Sequence, residues 1–217
     1  MTQLATRSLM FRSGDLSLEG ALHLPATTPA PGVAVCHPHP LYGGDMRNNV
    51  VETLCRAAIE AGICALRFNF RGAGASEGTH DHGRGEVDDA RAALDYLRGL
   101  PEVDPGRLVL AGYSFGAAVA LAAADGQLRG LIAVSCPTTN GSSSGARPSC
   151  PVLFVSGDRD EYSDPDDLQR LAREIGPQSE VVIHAGVDHF WWGSGDRLSQ
   201  TVSGFLERVL GARVSRS

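Results

Sequence analysis

The chain opens on alternation. From Leu16 to Leu24 apolar residues stand at Leu16, Leu18, Leu22 and Leu24, and a shorter run covers residues 8–11. Period two marks a strand buried on one face. Gly14-Asp15 separates the two runs, so an antiparallel pair is predicted. The pattern then changes. Residues 32–36, 63–68, 108–111, 131–134, 152–155 and 181–183 are short continuous apolar runs, as expected of strands covered on both faces. Between them apolar residues recur at helical spacing. Met46, Val50, Val51, Leu54, Ala58 and Ile59 share one face, and Val87, Ala90, Leu94 and Leu97 another. Leu168, Leu171, Ala172 and Ile175 form a third, and Leu198, Val202, Phe205, Leu206 and Val209 a last. Residues 115–124 are apolar nearly all round, which predicts a helix buried at the centre. Strands alternating with helices give an α/β fold. The expected core is a mostly parallel sheet of about eight strands with helices on both faces. Such sheets place ligands beyond the carboxyl ends of their strands, so the loops after strands are where chemistry is sought.

After the run at 108–111 comes Gly112-Tyr113-Ser114-Phe115-Gly116, directly before the apolar helix. A nucleophilic serine on a sharp strand-to-helix turn needs strained backbone angles. Residues two before and two after it approach closely, so only small side chains fit there. The helix beneath favours developing negative charge. A serine hydroxyl is a weak nucleophile and needs a base, which needs an orienting group. In this arrangement the chain order is Ser, acid, His. The run at 152–155 is followed by Asp158 and Asp160, and the run at 181–183 by His184 and His189. His184 continues its strand, whereas His189 lies beyond Gly186 in the loop. Ser114, Asp160 and His189 satisfy the order, each after a different strand, while the residues themselves leave Asp158 open as the acid.

With these motifs the sequence resembles an α/β-hydrolase from about residue 15 to the end. Asn69-Phe-Arg71-Gly72-Ala-Gly74-Ala-Ser76 is similar to the family's D-x-R-G-x-G-x-S segment, with Asn69 in place of Asp and a structural role expected for it. Gly157-Asp-Arg-Asp160 matches G-x-x-D, whose last Asp is the triad acid, which favours Asp160 over Asp158. Asp188-His189-Phe190 matches the segment carrying the triad histidine. His37-Pro-His-Pro-Leu-Tyr-Gly43-Gly44 resembles a small bacterial subgroup of esterase-like members with H-P-H-P-x-x-G-G. The resemblance implies an oxyanion hole built from the amide of Phe115 and one from the loop after the third strand. Pro38 and Pro40 have no N–H, so His39 is expected there, with Leu41 or Tyr42 next. Residues 136–151, where many relatives carry a lid, are too few for a helical cap. A shallow, open site follows, with Tyr42, Tyr113 and Trp191 expected to contact substrate and Phe115, Phe190 and Trp192 as further aromatic candidates. A dienelactone-hydrolase-like reading calls for Cys at the elbow, and Ser114 argues against it.

Composition narrows the chemistry. The chain has 217 residues, which suits one domain over 1–217. All nineteen basic residues are Arg. The absence of Lys excludes a pyridoxal Schiff base, a P-loop, a kinase ATP site and a Ser-Lys dyad. A net charge of −6 gives no support to nucleic-acid binding. The odd count of five cysteines without a CxxC predicts free thiols in a reducing, cytoplasmic setting. No run reaches the ~18 apolar residues of a membrane span. His37, His39, His80 and His82 lack the carboxylates or cysteines of a zinc site, so no metal is expected, and His80-Asp81-His82 is expected as an exposed turn. The expected activity is hydrolysis of small carboxylic esters through an acyl-enzyme on Ser114, with no cofactor. The alternatives are a thioesterase or peptidase using the same residues, or a non-catalytic binding protein.

Overall fold

The alternating segments at the start pair as predicted. In the computed structural model, which describes residues 5–138 and 148–211, β1 (Ala5–Ser13) runs antiparallel to β2 (Leu16–Leu24), with Phe11 opposite Leu18. Gly14 turns the chain between them at φ 57°. The continuous apolar runs become β3 (Ala30–Cys36), β4 (Cys64–Phe68), β5 (Val103–Tyr113), β6 (Gly130–Val134), β7 (Val152–Gly157) and β8 (Ser179–His184). Among the described residues all eight strands join one sheet in the order β1-β2-β4-β3-β5-β6-β7-β8. β2 meets β4 antiparallel, and every pairing from β4 to β8 is parallel.

The helices lie on both faces. α1 (Asn49–Glu60) and α5 (Gly195–Leu210) cover one, packing Val51, Leu54, Val202 and Phe205 against Val33, Val109 and Ile132. α2 (Arg84–Arg98), α3 (Phe115–Ala123) and α4 (Pro165–Ile175) cover the other, with Leu94, Leu97, Ala120 and Leu168 against Leu66, Leu110 and Phe154. α1 starts three residues later than the apolar spacing reaches, because the Asn48 side chain caps it by accepting from the Val50 amide at 2.9 Å. α3 departs from expectation. Its apolar surface is not buried all round: Phe115 and Ala118 are half-buried and Ala122 is exposed, because that side of the helix faces a cleft.

The segment that follows β4 is braced from within. The Asn69 side chain accepts from the Met46 amide at 2.8 Å and donates to Glu19 at 2.7 Å, while Ser76 donates to the Asn69 carbonyl at 2.7 Å. Arg71 grips the fully buried Asp89 through two side-chain N–H groups at 3.0 and 2.8 Å. Paired in this way, a buried carboxylate is tolerated. All five cysteines are free and buried. Among the described residues no helix is long and apolar enough to cross a membrane.

Candidate active site

The turn after β5 explains its glycines. A Cβ on Gly112 would lie 2.1 Å from the Gly116 carbonyl oxygen, and one on Gly116 would lie 2.5 Å from the carbonyl oxygens of Cys36 and His37. α3 can start tightly against the ends of β5 and β3 only with hydrogen at both positions. Gly112→Ala is expected to destabilise the fold by about 3 kcal/mol, read as a lower urea midpoint at unchanged slope. Between the glycines Ser114 is held at φ 54°, ψ −121°. That conformation is costly for a residue with a Cβ. Although Ser114 is the N-cap of α3, its side chain makes no capping bond. Its hydroxyl instead lies 3.0 Å from His189 Nε2.

His189 is carried by the loop between β8 and α5. Its Nδ1 lies 2.8 and 3.0 Å from the two carboxylate oxygens of Asp160. A carboxylate only accepts, so Nδ1 holds the proton and Nε2 is left to accept from Ser114. Asp160 also accepts from the Tyr162 amide at 3.0 Å and the Ser156 hydroxyl at 3.2 Å. Burial pulls its carboxyl pKa upward, but hydrogen bonds from His189, Ser135 and Tyr162 outweigh this and hold it below the usual carboxylate range. Asp158, the other carboxylate of that turn, faces elsewhere and accepts from the Gly186 amide at 2.6 Å. His184 stays on its strand with Nε2 3.0 Å from the Thr201 hydroxyl.

The loop after β3 forms a short 3-10 turn at Pro40–Tyr42. Its internal hydrogen bonds occupy most of its amides. Leu41 N–H reaches the His39 ring at 3.3 Å, Tyr42 and Gly44 reach the His39 carbonyl at 3.1 Å, and Gly43 reaches Pro40. Of the expected donors in the loop, His39 remains after this accounting. Beneath it His37 is fully buried. Its Nδ1 lies 2.6 Å from the Pro38 carbonyl and its Nε2 accepts the Phe70 amide at 2.9 Å. Protonation would set two donors face to face, and burial pushes the His37 pKa down to about 4. A depressed pKa contributes stability that is complete above the unfolded value near 6.5 and is lost as pH falls through the folded value. Stability should therefore rise by up to about 3 kcal/mol between pH 4 and 6.5, and His37→Gln should flatten that rise in urea titrations.

These parts meet at a cleft of about 940 Å³ that contains Ser114 and His189. Tyr42, Tyr113 and Phe115 line it, Tyr113 being largely buried with its hydroxyl donated to the His189 carbonyl at 2.8 Å. Trp191 does not: it is 2% exposed, with its indole N–H donated inward to the Ser135 hydroxyl at 2.9 Å. A positive φ of 61° at Trp191 turns the side chain into the core, leaving its neighbours Phe190 and Trp192 outside at 53% and 74% exposure. The turn at 80–82 is only partly exposed. The His80 side chain is 6% exposed, with Nδ1 2.8 Å from the buried Glu86 carboxylate. Glu86 in turn accepts the amides of Asp81 and Gly83 at 2.8 Å each. Arg84, Pro137 and Tyr162 also line the cleft and were not singled out in the sequence, and His82 and Val87, read there as a turn residue and a helix face, line it too. Tyr162 stands two residues past Asp160 with its ring 4.7 Å from that of His189, so its position was the available signal. Among the described residues no three metal-ligating side chains come together.

Among the described residues the sheet carries no lid, residues 139–147 of the interval 136–151 lying outside them; with a serine at the strand-to-helix elbow and a histidine and carboxylate behind it, this is the architecture of the α/β hydrolases. The chain belongs to the dienelactone hydrolase family, whose model matches residues 18–201. Membership corrects the reading in which Ser114 argues against a dienelactone-hydrolase-like chain: the family model matches residues 18–201 with a serine at the elbow. The chain is 35% identical to an α/β serine hydrolase without lid from Xanthomonas campestris, with TM-score 0.85 and 98% of each chain covered. It is 33% identical to an α/β serine hydrolase homologue from Coxiella burnetii, with TM-score 0.84, covering 95% of this chain and 98% of that one. An uncharacterised protein of Rickettsia prowazekii is 34% identical, covering 91% of this chain and 87% of the relative.

Proposed function

We propose that the protein hydrolyses carboxylic esters of small molecules through a transient acyl group on Ser114. The observation that carries this reading is the unbroken hydrogen-bonded line from the Ser114 hydroxyl through His189 to Asp160, opening on the cleft. His189 Nε2 takes the hydroxyl proton as Ser114 Oγ attacks the ester carbonyl. Asp160 keeps the imidazole in the required tautomer and stabilises its charged form. The amides of Phe115 and His39 receive the oxyanion, each contributing about 3–4 kcal/mol in comparable sites. Collapse expels the alcohol with the proton from His189. A water deprotonated by His189 then releases the acid and restores Ser114.

The cleft suggests which esters. Ser114, Ala118 and Ala122 lie on successive turns of α3, so its wall runs for about 12 Å away from the nucleophile. Val87 and Val119 add to an apolar lining. An apolar acyl group longer than acetyl would gain up to about 0.8 kcal/mol per buried methylene. From p-nitrophenyl acetate to butyrate and hexanoate, kcat/KM should therefore rise by as much as about fourfold per methylene. Assayed beside thioesters and aminoacyl amides, the oxygen esters should turn over fastest. Preference for a thioester or an amide would move the assignment to the corresponding hydrolase. No turnover and no labelling of Ser114 by a fluorophosphonate would favour the binding-protein alternative.

A further inference from the structure

Around His189 the loop between β8 and α5 is tied down at successive carbonyls. The Val187 carbonyl accepts the Arg159 amide at 3.0 Å, the His189 carbonyl accepts the Tyr113 hydroxyl at 2.8 Å, and the Phe190 carbonyl accepts from the Asn49 side chain at 3.0 Å. Each tie reaches a different element. Arg159 stands beside the acid in the turn after β7, and Asn49 is the first residue of α1. Tyr113 is the last residue of β5, one position before Ser114.

The Tyr113 bond has a fixed direction. A carbonyl only accepts, so the phenol donates. The bond is buried, the Tyr113 side chain belongs with Val187 and Trp191 to the apolar layer under α1 and α5, and its ring lies 5.4 Å from that of His189. Tyr113 itself is fixed on the sheet, since it pairs with Val134 of β6, whose carbonyl accepts the Ser114 amide at 2.9 Å. Two adjacent residues therefore hold one histidine at two points. Ser114 Oγ meets its reacting nitrogen at 3.0 Å, and Tyr113 meets its backbone.

The two points differ in one respect. Once Ser114 Oγ carries an acyl group it has no hydrogen left to donate, so the Ser114–His189 bond is lost just when His189 must activate water. The Tyr113 bond takes no part in the reaction and persists through it. We propose that Tyr113 is a positioning residue, whose hydroxyl keeps the backbone of His189 registered to the nucleophile's strand while Ser114 carries the acyl group. This rests on the hydrolase reading of Ser114. The hydroxyl hydrogen of Tyr113 is spent on His189 and is not offered to substrate. Its loss should slow release of the acid more than formation of the acyl-enzyme.

The test is Tyr113→Phe, which keeps the ring and its packing, with p-nitrophenyl butyrate as substrate. We expect kcat to fall about tenfold and kcat/KM, which reports acylation, by less than about threefold. Acyl-Ser114 should accumulate during turnover, seen by mass spectrometry as the added butyryl mass. p-Aminophenylalanine at position 113, whose amino group can donate to the same carbonyl, should restore kcat to within about threefold of wild type. Asn49→Ala loosens the same loop from α1 and leaves the Tyr113 bond in place, so it should show neither the tenfold loss nor the adduct. If Tyr113→Phe does not fold, Tyr113→Met is read in the same way. Wild-type kcat without added adduct would overturn the proposal, as would equal losses in kcat and kcat/KM. A raised KM at unchanged kcat would overturn it too, by making Tyr113 a substrate contact, and so would an equal effect in Asn49→Ala or failure of the amino analogue to rescue. Undiminished cleavage by Ser114→Ala would instead overturn the hydrolase reading itself.

Discussion

Ser114→Ala is expected to lower ester turnover by about 10⁵-fold, leaving only what the oxyanion donors and binding supply. The reason is local. Ser114 Oγ is the atom that His189 Nε2 faces at 3.0 Å, and the hydroxyl makes no capping bond to α3. Removing it takes away the nucleophile and no structural contact beyond the imidazole. Alanine suffers the same positive φ as serine, so the melting temperature should hardly move. Fluorophosphonate labelling should vanish with turnover. Residual cleavage above about one hundredth of wild type, in protein free of contaminating esterase, would put the nucleophile elsewhere.

Asp160→Asn should have the next largest effect, about 10⁴-fold in kcat. The Asp160 carboxylate gathers hydrogen bonds from His189, Ser156 and the Tyr162 amide. Asparagine has one accepting oxygen where the carboxylate has two, so its amide nitrogen must face a donor. The imidazole is then drawn toward the tautomer that cannot accept from Ser114. A stability loss of about 1–3 kcal/mol accompanies this, because buried donors lose their acceptor. Its pH dependence has a definite sign. A carboxyl held below its ordinary value contributes stability above the unfolded pKa near 3.9, lost as pH falls through the folded value. The gap between wild type and Asp160→Asn should be widest near neutrality and should close in acid, as measured by urea unfolding at several pH values.

The strands were legible because a parallel sheet covered on both faces leaves uninterrupted apolar runs, and the elbow because steric need fixes its glycines. The elements behind Asp160 and His189 were legible from chain order. What escaped were features set by backbone sign and by distant partners. Nothing local announces that Trp191, at a positive φ, is buried while Trp192 is exposed. His80 looked solvated because Glu86, whose buried carboxylate lies 2.8 Å from its ring, appears in the sequence as an ordinary charge in the first turn of α2. α3 looked wholly buried because alanine suits a cleft wall as well as a core, and composition does not separate the two. The loop after β3 was legible only in part: the prolines remove two amides in the sequence, whereas the hydrogen bonds inside the turn, which occupy the Leu41 and Tyr42 amides, appear only in the structure.

The left-handed residues around the cleft have an evolutionary corollary. At Ser135 and His82, which stand at φ 47° and 52°, the fold would relax if the side chain were deleted. A library screened for survival on heating alone should therefore drift at these positions toward glycine, and also toward asparagine, which tolerates such angles. Selection for turnover would be expected to act instead on Ser114, which shares the left-handed backbone but carries the hydroxyl that faces His189. The two regimes would separate, position by position, what the chain keeps for endurance from what it keeps for work.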